Sequence, residues 1–461
     1  MHKSLVIILV AVGLTYSLQG TAQQSRADQL MVDADSYRAQ LEELELGADR
    51  YDPSLLESLE SLAGVMVGLD QFNEADEILD RVIQILRINE GLYTDRQFPF
   101  LVLSIRNDVR RGNWRGANET MDHLVRLYTL VPRQWDEELI NELVQISDLH
   151  LEGVAGDLGI RKDYHFRAAD RISWTAVRIG ERVWPGNDLR LVDLYYHLLK
   201  QNHLKYVTLI QGGEVAADLR QIAPNTGWMR SRRGVVESYY RLGLEMLRRM
   251  RTVYELQDPI DLEATGMVDL YRADWQVLFD EGTPENSYEM AYEGLLAAGV
   301  EAQVLDNFFS VPQILPVNNF YPSVGQAQSA LTAISEQLTT GQTSPPSLLF
   351  LEWASTTPNI QTPIEEPILL QREINGMITA ELSVRLDGTD KVSRWIRSRY
   401  ISQVSVVEEF DWLNNSARQA LSVDELAERL HYLNFRPVLE KGIPQAFQGI
   451  LEYRYFPQRG E

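Results

Sequence analysis

The chain has 461 residues, and 66 acidic against 43 basic side chains give it a formal net charge of −23. So negative a chain is repelled by nucleic-acid phosphates and by anionic headgroups, which excludes a nucleic-acid partner and a polybasic membrane contact. There is no cysteine, so disulfides, thiolate metal sites and cysteine nucleophiles are excluded as well. At 44% hydrophobic residues the chain is long enough to bury real cores.

Residues 1–22 have the layout of a secretory signal peptide. A short positive end at Met1–Lys3 precedes a mostly apolar run, Leu5–Leu18, and the small residues Gly20 and Ala22 occupy the −3 and −1 positions. We expect cleavage after Ala22, export to the periplasm and no strong membrane contact afterwards. The alternative is an uncleaved inner-membrane anchor, for which the second half of this stretch is rather polar.

Residues 26–300 carry apolar side chains at three- and four-residue steps, which predicts helices arranged in pairs. A turn, an aromatic residue and a small residue three positions later occur at Phe72 and Ala75, and again 42 positions on at Trp114 and Ala117. The aromatic would fill the gap between two helices, and the alanine would let their backbones approach. Looser copies stand at Tyr164/Phe166 with Ala169 and at Tyr288 with Ala291.

This pattern resembles the tetratricopeptide-repeat (TPR) family in a long-helix form. The resemblance implies an α-solenoid of stacked helix pairs, whose surface would hold a peptide or another protein. A different all-helical solenoid remains the alternative. In either case we expect a mostly α fold with a binding scaffold in this part of the chain.

Residues 301–373 are punctuated by prolines, among them Pro312, Pro316 and Pro322. Proline at this density predicts a largely extended connector, apart from a short helical stretch at Gly325–Leu338. The apolar run Leu348–Leu351 predicts that the connector docks against the last helices.

Residues 374–461 change to a mixed pattern, which predicts a small α+β domain. Strict alternation over Gly376–Leu386 predicts a half-buried strand that ends in a turn at Asp387-Gly388. Val404–Leu421 is predicted to be helical. A capping box at Ser422 predicts a further helix that runs to Leu433.

The end of the chain completes a recognisable order of signals. Phe435 and Pro437 would mark the exit from the last helix, Gly442 would form a turn, and Gln448–Phe456 alternates as a final strand. Together with Gly376, Asp387 and Gly388, this order resembles the C-terminal domain of TonB-type energy transducers.

The TonB resemblance implies a three-stranded antiparallel sheet with helices. The exposed sheet edge of that family takes a peptide from an outer-membrane transporter as an added strand. We therefore expect the last strand to be the peptide-binding edge, with Glu452, Tyr453, Arg454 and Tyr455 as its contact residues. Three features depart from the family: Glu366 replaces the tyrosine of a Tyr-Pro segment, the stretch from Gly388 to Phe435 is longer than usual, and the family's N-terminal anchor and Lys/Glu-Pro spacer are not recognised in this sequence.

Motifs that carry chemistry are missing from the sequence. It has no H-E-x-x-H, no nucleophile elbow, no phosphate-binding loop and no dinucleotide fingerprint. We accordingly predict no catalytic residue, no metal and no cofactor. The arginines between Arg230 and Arg251 are expected to pair with acidic neighbours rather than to bind an anionic ligand.

The leading hypothesis is a periplasmic, non-enzymatic adaptor with protein or peptide partners, outer-membrane transporter segments among them. A membrane-anchored TonB-type energy transducer and a cell-wall enzyme are the alternatives. The oligomeric state stays open.

Overall fold

A computed structural model describes residues 29–69, 71–131, 133–156, 162–211, 232–311, 313–317, 319–336, 347–351, 354–357, 360–362, 376–384, 401–410, 434–445 and 447–455. The predicted signal peptide, the Asp387-Gly388 turn and the predicted helix Ser422–Leu433 lie outside these residues. Within them, no helix combines the length and the apolar character that a membrane span requires.

The described chain is mostly helical and divides into an N-terminal unit, Met1–Gln134, and a C-terminal unit, Trp135–Glu461. In both units consecutive helices pack against each other, an arrangement compatible with an α-solenoid. The helices of the N-terminal unit are α1 (29–45), α2 (Leu56–Gly68), α3 (Phe72–Glu90), α4 (Phe98–Arg111) and α5 (Trp114–Leu130).

Local sequence explains where these helices begin. The Asp52 carboxylate accepts a hydrogen bond from the amide of Ser54 at 2.8 Å and caps a short 3₁₀ helix that leads into α2. Helix α3 begins at Phe72 and α5 at Trp114, the aromatic positions of the two repeated patterns. Ala75 and Ala117 are fully buried, so both pairs use a small residue at the corresponding place in the second helix.

The C-terminal unit continues the succession of helices and adds the strands. Ala169, Tyr288 and Ala291, the small and aromatic positions of the looser copies, are each fully buried. Its helices are α6 (Glu137–Gly156), α7 (Lys162–Val183), α8 (Arg190–Gln211), α9 (Arg232–Glu255), α10 (Leu262–Phe279), α11 (Pro284–Ala297), α12 (Ala302–Phe309) and α13 (Val324–Glu336).

The strands follow in the last third of the chain. A four-stranded sheet has the order β2-β10-β5-β6, and three two-stranded pairs are β1 with β7, β3 with β4 and β8 with β9. The bounds are β1 (Gln313–Leu315), β2 (Ser347–Leu351), β3 (Ala354–Thr357), β4 (Ile360–Thr362), β5 (Gly376–Val384), β6 (Ile401–Phe410), β7 (Asn434–Arg436), β8 (Val438–Glu440), β9 (Ile443–Gln445) and β10 (Phe447–Tyr455).

The strand predicted to open at Gly376 is confirmed as β5, and the helical stretch of the connector is confirmed as α13. The helix predicted over Val404–Leu421 is wrong for its described part, because Val404–Phe410 belongs to β6 and pairs antiparallel with β5. The β-branched residues of this run favour a strand. The neighbouring strand β5 supplies the backbone pairing that selects a strand over a helix.

The predicted three-stranded antiparallel sheet is also wrong. The described sheet has four strands, and β2 lies parallel to β10. The additional strand comes from the apolar run Leu348–Leu351 of the proline-rich connector, which therefore forms part of the C-terminal sheet.

Candidate functional site

The last strand does not form a sheet edge. Glu452, Tyr453 and Arg454 pair with β2 on one side and with β5 on the other, and Tyr455 pairs with Gly376. Their backbone groups are therefore already engaged within the chain. The expectation that β10 offers a free edge is wrong because the connector contributes β2, a pairing between segments about a hundred residues apart that local patterns do not reveal.

The described sheet has two border strands, the short β2 and the longer β6, and β6 is the candidate site. It is ten residues long and pairs with β5, and none of the other described strands pairs with its opposite side. Alternate residues of a strand direct their N–H and C=O groups to opposite sides, so about half of β6 faces outward along this border. Such a row of unpaired backbone groups is a template for an additional strand.

Two irregularities interrupt the pairing of β6 with β5. The register shifts between Thr379 and Ala380, and again between Leu382 and Val384. A shift of this kind leaves an extra residue on one strand and increases its local twist. The central stretch, where Val404–Val406 pairs with Ala380–Leu382, keeps a regular register. An added strand would find its most regular partner there.

A second interface lies between the helices of the C-terminal unit and residues 434–445, which we call the docked segment. Its strand β7 pairs antiparallel with β1, and β8 and β9 form a hairpin. The hairpin turn uses Lys441 and Gly442, both with positive φ (51° and 84°), as a two-residue hairpin turn requires. A Cβ on residue 442 would lie 2.9 Å from Glu289 Cα of α11, so only glycine fits this turn against the helix.

The positions chosen from the TonB resemblance have mixed outcomes. The Gly442 turn is confirmed. Phe435 lies in β7 and Pro437 directly follows it, so both belong to the docked segment. The helix that they were expected to terminate lies outside the described residues.

Arg436 anchors the docked segment inside the helical core. Its Nε and Nη2 donate to the two carboxylate oxygens of Asp274 in α10, at 2.9 and 2.5 Å, and both residues are buried. The hydroxyl of Tyr288 donates to the same carboxylate at 2.9 Å. The guanidinium also lies 5.8 Å from the ring centre of Tyr271 and 5.6 Å from that of Phe308, within the range of cation–π attraction.

Charge balance explains why this buried arginine stays ionised. Burial alone would lower the pKa of Arg436, but the charge of Asp274 and the hydrogen bonds to it outweigh burial and raise the pKa. Burial, together with the same carboxylate, raises the pKa of Tyr288 well above its usual value. The tyrosine therefore remains a neutral donor, and the contact forms a fully partnered ion pair.

No pattern in the sequence pointed to this contact. Asp274 and Arg436 are 162 residues apart. A charged residue on a helix, such as Asp274, or beside a proline, such as Arg436, is normally expected to face solvent. The useful signal would have been the position of Asp274 beside the apolar residues of α10, where an unpaired carboxylate is costly.

Other clusters of charged side chains have structural partners. As expected, Arg241, Arg248, Arg249 and Arg251 of α9 form ion pairs with nearby acidic residues. Among the described residues, no group of three or more histidine, aspartate or glutamate side chains could hold a metal ion. A pocket between α8, α10 and Leu315–Val317 shares Tyr271, Asp274 and Leu315 with the docked-segment interface.

Comparison with models of known protein families and with curated proteins found no match to this chain. Two features of the described geometry involve extended backbone: the border strand β6, which pairs with a described strand on one side, and the groove that holds the docked segment.

Proposed function

We propose that the chain is an exported, non-enzymatic adaptor that captures an extended segment of another protein as an additional strand on β6. The observation that carries the proposal is the position of β6 at one border of the described four-stranded sheet, where it is twice as long as the strand β2 at the other border. In this mode of recognition, backbone hydrogen bonds supply affinity and alternate side chains supply selectivity.

The length of β6 is adequate for such a site. About five of its ten residues face outward, and each backbone hydrogen bond contributes about 0.5–1.5 kcal/mol net. A peptide that pairs with the regular stretch alone would bind weakly, and one that follows most of the strand would bind appreciably. We therefore propose a ligand that is extended over at least five residues or so.

The helix pairs provide the second half of the adaptor. Their pairing and the buried alanines at Ala75 and Ala117 support a TPR-like scaffold that would recruit a further protein. The signal-peptide pattern of residues 1–22 supports a periplasmic location. The TonB resemblance, to which β5 and the Gly442 turn still contribute, favours an outer-membrane transporter segment as the partner at the sheet.

Substitutions at two neighbouring residues test the site, because only one of two successive residues in β6 directs its backbone N–H away from β5. Peptides would first be selected from a displayed random library on the immobilised full chain. Binding would then be measured to the Ser405→Pro and Val406→Pro variants. We expect one variant to keep the wild-type circular dichroism spectrum and lose binding, because proline removes an outward donor there. If both variants bind like the wild type, strand addition at β6 is refuted.

A further inference from the structure

The groove that holds the docked segment is built from a continuous earlier stretch of chain. Helices α10, α11 and α12 and strand β1 together span Leu262–Leu315. The segment that fills the groove comes from much later, since Arg436 lies 162 residues beyond Asp274. A groove made by one stretch and filled by extended backbone from another has the organisation of a peptide-recognition site.

Three kinds of contact recognise the segment. Strand β1 supplies backbone pairing, with Gln313 opposite Arg436 and Leu315 opposite Asn434. Asp274 supplies a two-point contact to the guanidinium. The rings of Tyr271 and Phe308 lie within 6 Å of the same group. Backbone pairing sets the direction of the segment, and the carboxylate and rings select the side chain.

The side-chain contacts demand arginine in particular. A lysine ammonium cannot form the planar two-point contact with a carboxylate. A neutral residue would leave the buried Asp274 charge without a cation beside it, with only the Tyr288 hydroxyl as a donor, which is strongly unfavourable. Pro437, the next residue, is also buried. The groove therefore discriminates between arginine and other residues at this single position.

The buried ion pair adds little net stability to the docked segment. Removing two charges from water offsets most of the attraction between them, so a buried ion pair adds selectivity more than net stability. The backbone pairing with β1 covers only three residues. The acidic excess of the chain, with a net charge of −23, favours a cationic ligand over an anionic one.

We propose that this groove is a second peptide-binding site, whose ligand is an extended segment of a partner protein with arginine directly before proline, and that residues 434–445 are its resident occupant. The site is separate from β6 and does not depend on strand addition there. The proposed ligand has the same extended form and the same Arg-Pro pair as residues 434–445, but it belongs to another chain.

The test uses the full-length Arg436→Ala variant and a fluorescent synthetic peptide with the sequence of residues 434–445. We expect the peptide to bind this variant at least about tenfold more tightly than the wild type, whose attached segment competes at a high effective concentration. A peptide with lysine or alanine in place of the arginine should bind the variant at least about tenfold more weakly. Asp274→Ala should abolish the preference for arginine.

Equal binding of the arginine and alanine peptides, or equal binding to the Asp274→Ala and Arg436→Ala chains, would overturn the proposal. If Arg436→Ala does not fold, the test uses Arg436→Lys instead. Lysine keeps the positive charge but cannot form the two-point contact with Asp274, so the arginine peptide should again bind more tightly than the lysine and alanine peptides. A stable complex between Arg436→Ala and Asp274→Ala chains would assign the groove to a second copy of this chain and overturn the assignment to a partner protein.

Discussion

Trp275 lies directly against Gly243, so that helices α9 and α10 approach closely at this point. A Cβ on residue 243 would stand 2.0 Å from the indole ring. The indole is buried and donates from Nε1 to the carbonyl of Tyr240 at 3.0 Å. The ring is fixed on both sides and cannot move aside for even one methyl group.

Gly243→Ala is therefore expected to destabilise the C-terminal unit. Alanine is favoured over glycine in a helix by about 1 kcal/mol, but overpacking against the indole should outweigh this and give a net loss of about 2 kcal/mol or more. Urea unfolding followed by tryptophan fluorescence measures the change.

Gly294 in α11 is the matched control, because no heavy atom lies within 4 Å of a Cβ placed there. Gly294→Ala should stabilise the same unit slightly, by about 0.5–1 kcal/mol. Equal effects of the two substitutions would contradict the close approach of α9 and α10.

The helices that local signals mark were predictable from the sequence, and their packing partners were not. The starts at Phe72 and Trp114 follow from short-range turn and spacing signals. No such signal marks Gly243. A side chain there would collide with Trp275, which lies in the next helix, α10. The prediction of a helix over Val404–Leu421 is wrong at its described residues, Val404–Phe410, for a related reason: the apolar residues there fit both a helix and a strand, and pairing with β5 favours the strand.

The Arg436–Asp274 pair should respond very differently to single and double substitutions. Arg436→Ala is expected to cost about 3–5 kcal/mol, since it leaves the Asp274 carboxylate buried without a counter-charge. Chemical unfolding of the full-length variants measures the loss.

The control replaces both charges by apolar residues of similar volume, as in Arg436→Met with Asp274→Leu. This double variant should recover part of the lost stability, because neither charge then has to leave water, while the buried Tyr288 hydroxyl loses its acceptor. A double variant as unstable as the single one would indicate that the ion pair itself supplies net stability.

Two buried histidines predict a dependence of stability on pH. Burial lowers the pKa of His150 to about 3, with a smaller effect from the charge of His165, and burial alone lowers the pKa of His203 to about 3. The unfolded chain binds protons on both residues below about pH 6.5. Stability is therefore complete above that pH and declines on acidification towards pH 3, by about 2 kcal/mol per histidine at pH 5.

His203→Phe isolates one contribution, because the ring at this position faces Tyr206, Trp275 and Phe279. Its loss of stability between pH 7.5 and pH 5 should be smaller than that of the wild type by about 2 kcal/mol. An unchanged pH dependence in this variant would show that His203 is protonated in the folded chain as readily as in the unfolded chain.

The turn at Gly442 predicts a local effect of substitution. Gly442→Ala combines an unfavourable positive φ with a contact of 2.9 Å to the α11 backbone. Gly299 also has a positive φ but open space around it, so Gly299→Ala should cost only about 1 kcal/mol of backbone strain. Gly442→Ala should lose more stability than Gly299→Ala, and the backbone amides of residues 438–445 should exchange faster in the Gly442→Ala variant. Equal losses in the two variants would contradict the docked hairpin.

The candidate sites were only partly predictable. The strand at Gly376 and the Gly442 turn follow from alternation and from glycine's backbone freedom. The place of β10 inside the sheet and of Arg436 inside the helical core depends on pairings across a hundred residues or more. Local patterns carry no information on such pairings, and this is why β10 was predicted to be a sheet edge although it is paired on both sides.

The most direct measurement is amide hydrogen exchange at residue resolution, on the full chain with and without a library-selected extended peptide. The account predicts slower exchange at alternate amides of Ile401–Phe410 on peptide binding, because only the outward N–H groups gain partners. Unchanged exchange along β6, with protection elsewhere in the chain, would contradict strand addition at this border.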